Sequence, residues 1–420
     1  MLFPIEGFLR RVVVRGSLSV IDADGGVHRY AGREPGRTLT LRFHTRRLPW
    51  RLLAAPDLAF GEGYMDGSLT VENGDIADAV GFLFENIHRS GDHWTRRWSH
   101  RLARLVRRLQ QYNPAARAKR NVAHHYDLSA DLYRLFLDQD MQYSCAYFRE
   151  PDESLDAAQR NKKLHIAAKL LLDRPGLKVL DIGSGWGGLA IELARLAGAD
   201  VTGVTLSEEQ LKVATQRAME ASLAPRVQFR LQDYRAVQGQ FDRIVSVGMF
   251  EHVGINHYPQ FFATCRRLLA EDGVGLLHTI GRSDGPAHTN TWIRKYIFPG
   301  GYSPALSEIV PVMERAGLYI TDIEVLRYHY AETLQAWRRR FLANRAQAVA
   351  LYDERFARMW EFYLAASEAA FRYSNHVVFH IQFSRRKDAV PACRDYIGHT
   401  ERRRDERRES GRQSRHDDAA

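Results

Sequence analysis

The sequence predicts an α/β protein in which a small α+β unit precedes a doubly wound domain with a parallel sheet. Three observations predict this class. Short apolar strands alternate with amphipathic helices from about residue 120 onward, the pattern of a parallel sheet covered on both faces. A glycine-rich turn, VLDIGSGWGG, lies at 179–188 between one such strand and a helix. The first 88 residues instead contain short β-branched runs around the turn DADGG, which predicts a hairpin.

The N-terminal unit, 1–88, is expected to be a small α+β domain. Its predicted strands are RVVVRG, SLSVI, VHRY and TLTLRFH, and its predicted helix is DIADAVGFLFENI. The alternation of polar and apolar residues in TLTLRFH is typical of a half-buried strand.

The larger domain, 121–384, is expected to hold the doubly wound sheet. Its predicted strands are 177–183, 200–206, 226–231, 241–247 and 273–280, and its predicted helices are 157–173, 187–197, 207 onward, 257–270 and most of 333–373. Gly198 is a C-cap signal for the second of these helices. Ser207 and Gln210 have the spacing of a capping box at the start of the third.

The segment between these domains, 89–120, carries most of the net charge of +10, with ten basic residues and one acid. An apolar stripe at helical spacing runs through it: Trp94, Trp98, Leu102, Leu105 and Leu109. We therefore predict a basic amphipathic helix and linker. Such a helix suits an anionic membrane surface, nucleic acid or packing against its own domain. The tail, 385–420, is charged and poor in apolar residues, so it is predicted to be disordered.

The composition excludes several classes of protein. No run of ~18 apolar residues occurs, so no transmembrane helix is expected. The basic residues of MLFPIEGFLRR follow its apolar ones, unlike those of a signal peptide. Cys145, Cys265 and Cys393 lie far apart, which excludes a disulfide scaffold and suits a reducing cytoplasm.

The glycine-rich turn is the sharpest local signal for a ligand. Gly183, Gly185 and Gly188 form a GxGxxG pattern, whose glycines let a ligand approach the backbone closely. A dinucleotide site would have an acid at the end of the second strand, but GVTLSEEQ has none at that point. Asp181 suits the ammonium of S-adenosylmethionine (SAM), and Asp233, at the end of the third strand, is placed to accept a hydrogen bond from an adenine amino group. The sequence therefore predicts SAM rather than NAD.

Two ionisable residues follow neighbouring strands of the predicted sheet. Glu251 follows the fourth strand in GMFEHVG, and His278 lies near the end of the next strand in LLHTIG. Ligands of open α/β sheets bind outside the carboxyl ends of the strands, so we expect both residues in one pocket. Ser184 belongs to the glycine-rich turn rather than to a nucleophile elbow, which argues against a serine hydrolase. The chain has no HExxH or CxxC motif, so no metal site is predicted.

Seven sequence blocks carry a resemblance to a known family: HHYDLS (124–129), MQYSCAYF (141–148), VLDIGSGWGGLA (179–190), GVTLSEEQ (203–210), DRIVSVGMFEHVG (242–254), LLHTIG (276–281) and KYIFPGG (295–301). In order and spacing they resemble the cyclopropane-fatty-acyl-phospholipid synthase family over about residues 120–384. The N-terminal unit resembles the extra domain of the full-length bacterial synthases. The resemblance implies a Rossmann-like SAM methyltransferase domain.

The resemblance also implies a reaction. A methylene group passes from SAM to a cis double bond of a phospholipid acyl chain, through a carbocation that loses a proton and closes to a cyclopropane. In the family the base is a bound bicarbonate, and the residues that hold it correspond here to Cys145, Glu251, His278 and Tyr330. The cation must be kept from water, so a dry aromatic tunnel is expected. Candidates for its lining are Phe148, Phe250, Trp292, Tyr296 and Phe298.

The resemblance assigns SAM binding to a further set of residues. These are Tyr143, Ser144, Asp181, Gly183, Ser184, Gly185, Thr205, Leu206, Ser207, Gln210, Asp233 and Tyr234. Ser184 and Ser367 stand where many family members have cysteine. Arg235 differs from the acid of some relatives, which leaves the details of the adenine side open.

The implied substrate lies in a bilayer, so we expect a cytoplasmic protein that docks peripherally on the anionic inner face of the membrane. A homodimer is one candidate assembly. No nucleic-acid partner is expected, because Arg and Trp on one helix fit an interfacial membrane helix better than a nucleic-acid module. Two related activities stay open: a lipid methyltransferase that leaves a methylene or methyl branch, and an amine methyltransferase, which needs no base for a carbocation.

Overall fold

The chain folds into two units, and one of its hydrophobic clusters contains residues of both, for example Leu69 and Trp360. A computed structural model describes residues 3–90 and 129–417. The predicted basic helix with its Trp/Leu stripe lies outside the described residues. In the N-terminal unit the elements are α1 (Phe3–Val12), β1 (Arg15–Ile21), β2 (Val27–Ala31), β3 (Glu34–Phe43), α2 (Leu48–Ala54), α3 (Pro56–Met65), β4 (Leu69–Val71) and α4 (Ile76–Arg89).

The four strands of this unit form a sheet in the order β2-β1-β3-β4. The predicted hairpin is confirmed, because β1 and β2 pair antiparallel. The prediction of a strand at RVVVRG is wrong for its first half. Ile5, Leu9 and Val12 are buried at helical spacing, so Val12 ends α1 even though the run of valines to which it belongs favours a strand.

The second unit contains α5 (Ala130–Arg134), α6 (Leu155–Lys169), β5 (Lys178–Ile182), α7 (Gly188–Ala197), β6 (Asp200–Thr205), α8 (Glu208–Glu220), β7 (Val227–Leu231), β8 (Phe241–Val247), α9 (Tyr258–Leu268), β9 (Leu269–Arg282), α10 (Thr291–Tyr296), α11 (Leu306–Arg315), β10 (Tyr319–Leu326), α12 (His329–Ala343), α13 (Arg345–Leu351), α14 (Glu354–Tyr373), β11 (His376–Ser384) and α15 (Tyr396–Asp417). The predicted α/β class is confirmed.

The seven strands of this unit lie in the order β10-β11-β9-β8-β5-β6-β7. The five strands from β9 to β7 are parallel, whereas β11 pairs antiparallel with both β9 and β10. From β5 the chain first moves outward to β6 and β7 and then returns to the other side with β8. Such a reversal opens a crevice at the carboxyl ends of the strands, where ligands of this fold class bind.

The two units meet through tightly packed aromatic residues. A side chain on Gly61 of α3 would lie 2.5 Å from Trp292 Nε1 of α10 and 2.7 Å from Phe362 of α14. The Trp292 Nε1–H donates to the sulfur of Met65 at 3.3 Å. The N-terminal unit therefore packs against one side of the second unit. None of the helices in the described part of the chain is both long and apolar enough to span a membrane.

The predicted disorder of the tail, 385–420, is wrong for much of its length, because the tail contains α15. Glu401 of α15 bonds the His165 ring at 2.7 Å, Asp405 pairs with Arg149 at 2.5 Å, and the Tyr396 hydroxyl accepts from Gln382 at 2.6 Å. Composition predicted disorder because the tail has few apolar residues. The helix instead docks through charged and polar side chains whose partners lie on the folded unit.

Candidate active site

A cavity lies at the carboxyl ends of β5, β6, β7 and β8, where the strand order reverses. Eleven of the twelve residues predicted to bind the cofactor line it: Tyr143, Ser144, Asp181, Gly183, Ser184, Gly185, Thr205, Leu206, Gln210, Asp233 and Tyr234. Ser207 has a different place. Its side chain accepts the Gln210 N–H at 3.3 Å and caps α8, as its spacing predicts.

Several cavity residues were not predicted from the sequence. They include Gln142, Gln232, Arg235, Met249 and His252. Most of them adjoin a predicted residue in the sequence. The motif blocks therefore identified the loops that line the cavity, but not every lining side chain. His252 has its pKa lowered to about 4 by burial, so it is a neutral imidazole near pH 7.

The glycine-rich turn forms the floor of the cavity. Gly183 has φ +85° and a side chain there would lie 2.7 Å from Met249 Cβ, whereas Gly185 has φ +54° and open space where a side chain would extend. Only glycine adopts this left-handed backbone readily. The open space at Gly185 is a place where a ligand can contact bare backbone.

Asp181 is a buried carboxyl whose Oδ2 has no hydrogen-bond partner in the described residues. Burial raises its pKa to about 7, and the charge of Lys162 opposes that shift. Burial removes the water that would stabilise the ionised carboxylate. A cationic ligand next to Asp181 stabilises that ionised form instead.

Asp233 lies on the cavity wall in a salt bridge with Arg235. Arg235 Nε donates to Oδ1 at 2.8 Å, and another guanidinium nitrogen donates to Oδ2 at 2.5 Å. Burial alone would raise the pKa of Asp233, but Arg235 lowers it below its usual value. Because each carboxylate oxygen accepts more than one hydrogen bond, the pair leaves Asp233 able to accept from an adenine amino group.

The four residues predicted to hold the base are not among the lining residues of this cavity. They form two pairs on neighbouring elements, one of Cys145 with Tyr330 and one of Glu251 with His278. Cys145 is fully buried. Its thiol donates to the backbone carbonyl of Ala146 at 3.3 Å, and the Ala146 N–H donates to Thr333 Oγ1 of α12 at 3.0 Å. Tyr330, one turn earlier on α12, is 8% exposed, whereas its neighbour Tyr328 is 57% exposed. Burial raises the pKa of Cys145 well above its usual value, so this residue is a neutral thiol and not a thiolate.

Glu251 and His278 form the second pair. Glu251 lies just after β8, and its Oε1 accepts the backbone N–H of Ile280 on β9 at 2.6 Å. Its Oε2 is buried without a hydrogen-bond partner in the described residues, and burial raises its pKa to about 7. His278 lies two residues before Ile280 on the same strand. Burial holds its pKa well below the usual value, with help from Lys162, Lys169 and His165.

Lys162 of α6 links the base residues with the cofactor cavity. It is fully buried, and its Nζ donates to Ser144 Oγ at 2.7 Å and to Gln142 Oε1 at 2.8 Å. Its charge acts on the pKa of Cys145, Asp181 and His278. Burial lowers the pKa of Lys162 itself to about 8. Lys162 could not be singled out from the sequence, because a single lysine in a charged helix usually faces solvent.

Aromatic side chains connect the cavity with Tyr330. Tyr143 on the cavity wall stacks on Trp337 with ring centroids 5.2 Å apart, and Tyr330 packs edge-on against the same Trp337 at 5.8 Å. The Tyr143 hydroxyl shares a 2.7 Å hydrogen bond with that of Tyr363, whose ring lies 5.9 Å from Phe298. These rings form an apolar wall beside the base residues.

The predicted tunnel aromatics have different surroundings. Phe250 is fully buried, and its ring centroid lies 4.2 Å from that of Tyr258 and 5.0 Å from that of Phe261. It therefore belongs to the core rather than to a tunnel. The ring of Phe298 packs edge-on against that of the cavity residue His252, with ring centroids 5.7 Å apart. Trp292 packs against Phe362 at 4.6 Å, at the junction with α3.

A polar cluster lies behind His278. His165, Glu324 and His380 bring one ligand-type atom each within 4.8 Å of the others. Lys169 Nζ, however, lies 2.6 Å from Glu324, so an internal ammonium already supplies positive charge there. The cluster therefore does not need a metal ion.

Three comparisons with known proteins place the chain in a family. A family model described as mycolic acid cyclopropane synthetase matches residues 113–381. The cyclopropane-fatty-acyl-phospholipid synthase of Escherichia coli K12 is 40% identical over 337 residues, which are 80% of this chain and 85% of that protein. Tuberculostearic acid methyltransferase UfaA1 of Mycobacterium tuberculosis is 39% identical over 384 residues, 87% of each chain.

Solved structures of the same family resemble this fold. The Mycobacterium tuberculosis cyclopropane synthase MmaA2 superposes with a TM-score of 0.60 at 33% identity, over 65% of this chain and 99% of that one. Mycolic acid cyclopropane synthase CmaA1, complexed with S-adenosylhomocysteine (SAH) and CTAB, gives 0.60 at 34% identity, over 64% and 98%. The chain therefore belongs to the mycolic acid cyclopropane synthetase family and is a SAM-dependent methyltransferase.

Proposed function

We propose that this enzyme transfers a methylene group from SAM to a cis double bond of a phospholipid acyl chain and closes a cyclopropane, with bound bicarbonate as the base. The observation that carries the proposal is the buried carboxyl of Glu251. Its Oε2 has no hydrogen-bond partner in the described residues. Glu251 follows β8, the strand whose carboxyl end lines the cofactor cavity. An amine methyltransferase needs no base for a carbocation, so the combined set of Cys145, Glu251, His278 and Tyr330 favours the cyclopropane reaction.

The residues of the cavity fit SAM. SAM, when bound, supplies an electrophilic methyl group. The unpartnered Asp181 carboxyl suits its ammonium, and the bare backbone at Gly185 allows the close approach that the ligand needs. Tyr143 and Trp186 give the cavity apolar walls, which keep water from the reacting atoms.

The base residues fit bicarbonate, which would supply an anionic oxygen base. Glu251 Oε2 can accept the hydrogen of its O–H group. An imidazole N–H of His278 can donate to another of its oxygens. The neutral thiol of Cys145 can do the same when its S–H turns from the Ala146 carbonyl, which it contacts at 3.3 Å. With a pKa of about 7, Glu251 can also take up or release a proton near neutral pH.

The aromatic wall fits a cationic intermediate on the acyl chain. An alkene is a weak nucleophile, so proximity to the methyl group must supply much of the rate. A ring face of Tyr143 or Tyr330 in contact with the cation would stabilise the positive charge by roughly 0.5–2 kcal/mol.

The lipid substrate supports a peripheral place at the anionic inner face of the membrane, with the protein in the cytoplasm. The basic segment, 89–120, is the proposed docking element, on the sequence argument alone. A homodimer is proposed as the assembly, and light scattering on the purified protein tests it.

One alternative is supported by a specific observation. A relative that is 39% identical is named as a tuberculostearic acid methyltransferase. The same cofactor and base sites could therefore leave a methylene or methyl branch instead of a ring.

The test is incubation of the enzyme with SAM and vesicles of a monounsaturated phospholipid, followed by mass and proton NMR analysis of the acyl chains. We expect a gain of one CH2 with loss of the olefinic protons. A gain that keeps olefinic protons, or adds two further hydrogens, would select the branched alternative. No change in the acyl chains would refute the proposal. Glu251→Gln serves as the matched negative control.

A further inference from the structure

A second histidine lies directly behind His278, outside the set of residues assigned to the base. His380 of β11 is opposite His278 of β9 in the antiparallel register. The His278 Nδ1 and His380 Nε2 atoms are 2.7 Å apart, and both residues are almost fully buried. This distance is that of a strong N–H···N hydrogen bond.

Both rings are neutral, so one proton lies in this bond. Burial is the main cause that lowers the pKa of each ring well below its usual value, and the charges of Lys162, Lys169 and His165 add to it. A neutral imidazole carries a proton on one nitrogen only. The direction of this bond therefore fixes the tautomer of both rings.

The surroundings of His380 decide the direction. His165 donates from Nδ1 to Glu401 at 2.7 Å and from Nε2 to Glu324 at 2.6 Å, so it must be the doubly protonated cation. The His165 and His380 ring centroids are 5.6 Å apart, and His380 Nδ1 is buried with no hydrogen-bond partner in the described residues.

Two arrangements are open to the pair. If His278 donated, His380 would carry its own proton on Nδ1, a buried N–H without an acceptor near a cationic ring, which is unfavourable. If His380 donates from Nε2, its Nδ1 keeps a lone pair, which nearby positive charge stabilises. The second arrangement has the lower free energy.

We infer that His380 is a positioning residue, whose Nε2–H donates to His278 Nδ1 and so fixes His278 with its proton on Nε2. The inference rests on the proposed base site and deepens it. His278 then has an N–H to offer to an oxyanion, instead of a bare nitrogen that would repel it. In the cluster of His165, Lys169 and the two glutamates, the positive charges of the first two residues favour this tautomer, because they stabilise the lone pair on His380 Nδ1.

The direct test is the tautomer of His278 in the unaltered full-length protein. Histidine labelled with ¹⁵N in the ring gives two-bond ¹⁵N–¹H correlation spectra that distinguish the two protonated forms. The signals of His278 are those that disappear in His278→Gln. We expect a protonated Nε2 and a bare Nδ1. A protonated Nδ1 would overturn the inference.

The functional test compares two substitutions of His380. His380→Gln keeps an N–H donor, so its turnover should stay within ~3-fold of the parent value, and His278 should keep its tautomer. His380→Leu removes the donor and should lower turnover ~10-fold or more, at an unchanged KM for SAM. A leucine variant that folds, binds SAM and turns over like the parent would contradict the inference.

The two tests separate this inference from the proposed function. If the parent enzyme formed no methylated lipid, the proposed function would fail, whereas the NMR spectrum would still decide the tautomer. If His380→Leu did not fold, the spectrum of the parent and the turnover of His380→Gln would decide it.

Discussion

At the scale of single residues, Asp181 makes cofactor binding a proton-linked event. Its pKa is raised to about 7 by burial, so near pH 7 roughly half of the molecules carry a proton there. Binding of cationic SAM favours the ionised form, so we expect release of about half a proton per SAM bound. Calorimetry in two buffers with different ionisation enthalpies measures this number.

The control for this measurement is Asp181→Asn, which cannot ionise. It should bind SAM more weakly, by about tenfold or more, and should lose most of the proton release. Equal proton release by the parent and the variant would assign the proton to another group, such as Glu251 or Lys162.

Glu251 should control turnover rather than cofactor binding. Glu251→Gln keeps the side-chain size and removes the acid–base group, so turnover should fall ~10²-fold while SAM affinity stays within twofold. Cys145→Ser should lose less, because a neutral thiol and a hydroxyl both donate. Steady-state kinetics with and without added bicarbonate, in degassed buffer, provide the measurement. Full activity of Glu251→Gln would remove this carboxyl from the reaction.

At the scale of elements, α15 should stabilise the fold in a pH-dependent way. Burial alone would lower the pKa of His165, but its hydrogen bonds with Glu324 and Glu401 raise it above the usual value. A raised folded-state pKa means that this stabilisation is complete below the unfolded pKa of ~6.5 and is lost as pH rises through the folded pKa.

Glu401→Gln should therefore lower the free energy of unfolding by about 2 kcal/mol at pH 6. The difference from the parent should shrink as pH rises toward 9. Denaturant unfolding at several pH values checks this, with Glu406→Gln, an exposed residue of the same helix, as the matched control. A difference that did not change with pH would show that the Glu401–His165 bond is not the source.

The elements that could be predicted are those whose sequence pattern matches their surroundings. The strand at 241–247 was predicted with its observed bounds, because a buried parallel strand is a continuous apolar run. The helix in the tail was missed, because its docking depends on partners such as His165 that lie far away in the sequence. The end of the first helix was missed, because Val12 belongs to a run of valines that favours a strand locally, and only burial of one helix face makes this residue helical.

The site could be predicted in part for a similar reason. Motif blocks located the loops that carry Asp181 and Glu251, because ligands of open α/β sheets bind at the carboxyl ends of the strands and these blocks lie there. The supporting residues Lys162, Thr333 and His380 have no such pattern. Their importance comes from burial and from neighbours on other elements, which only the fold brings together.

At the scale of the whole molecule, the net charge of +10 should bring the enzyme to its lipid substrate. Each Lys or Arg of the basic segment near an anionic leaflet contributes roughly 1 kcal/mol, and salt screens it over ~8 Å. We expect cosedimentation with vesicles that contain phosphatidylglycerol, and weaker binding as salt rises. Vesicles of neutral lipid are the control.

A variant with Arg101, Arg104, Arg107 and Arg108 changed to Gln tests the location of this charge. It should lose vesicle binding and turnover on vesicles while keeping its affinity for SAM. Parent-like binding by this variant would move the docking surface to another part of the molecule.

The central claim is that the transferred carbon ends in a ring after losing one proton. SAM with a trideuterated methyl group tests it most directly, with mass and NMR analysis of the acyl chains formed on vesicles. The account predicts that the added carbon keeps two deuterium atoms, that no double bond remains and that cyclopropane ring carbons appear in the NMR spectrum. Three retained deuterium atoms, or a double bond left in the product, would contradict it.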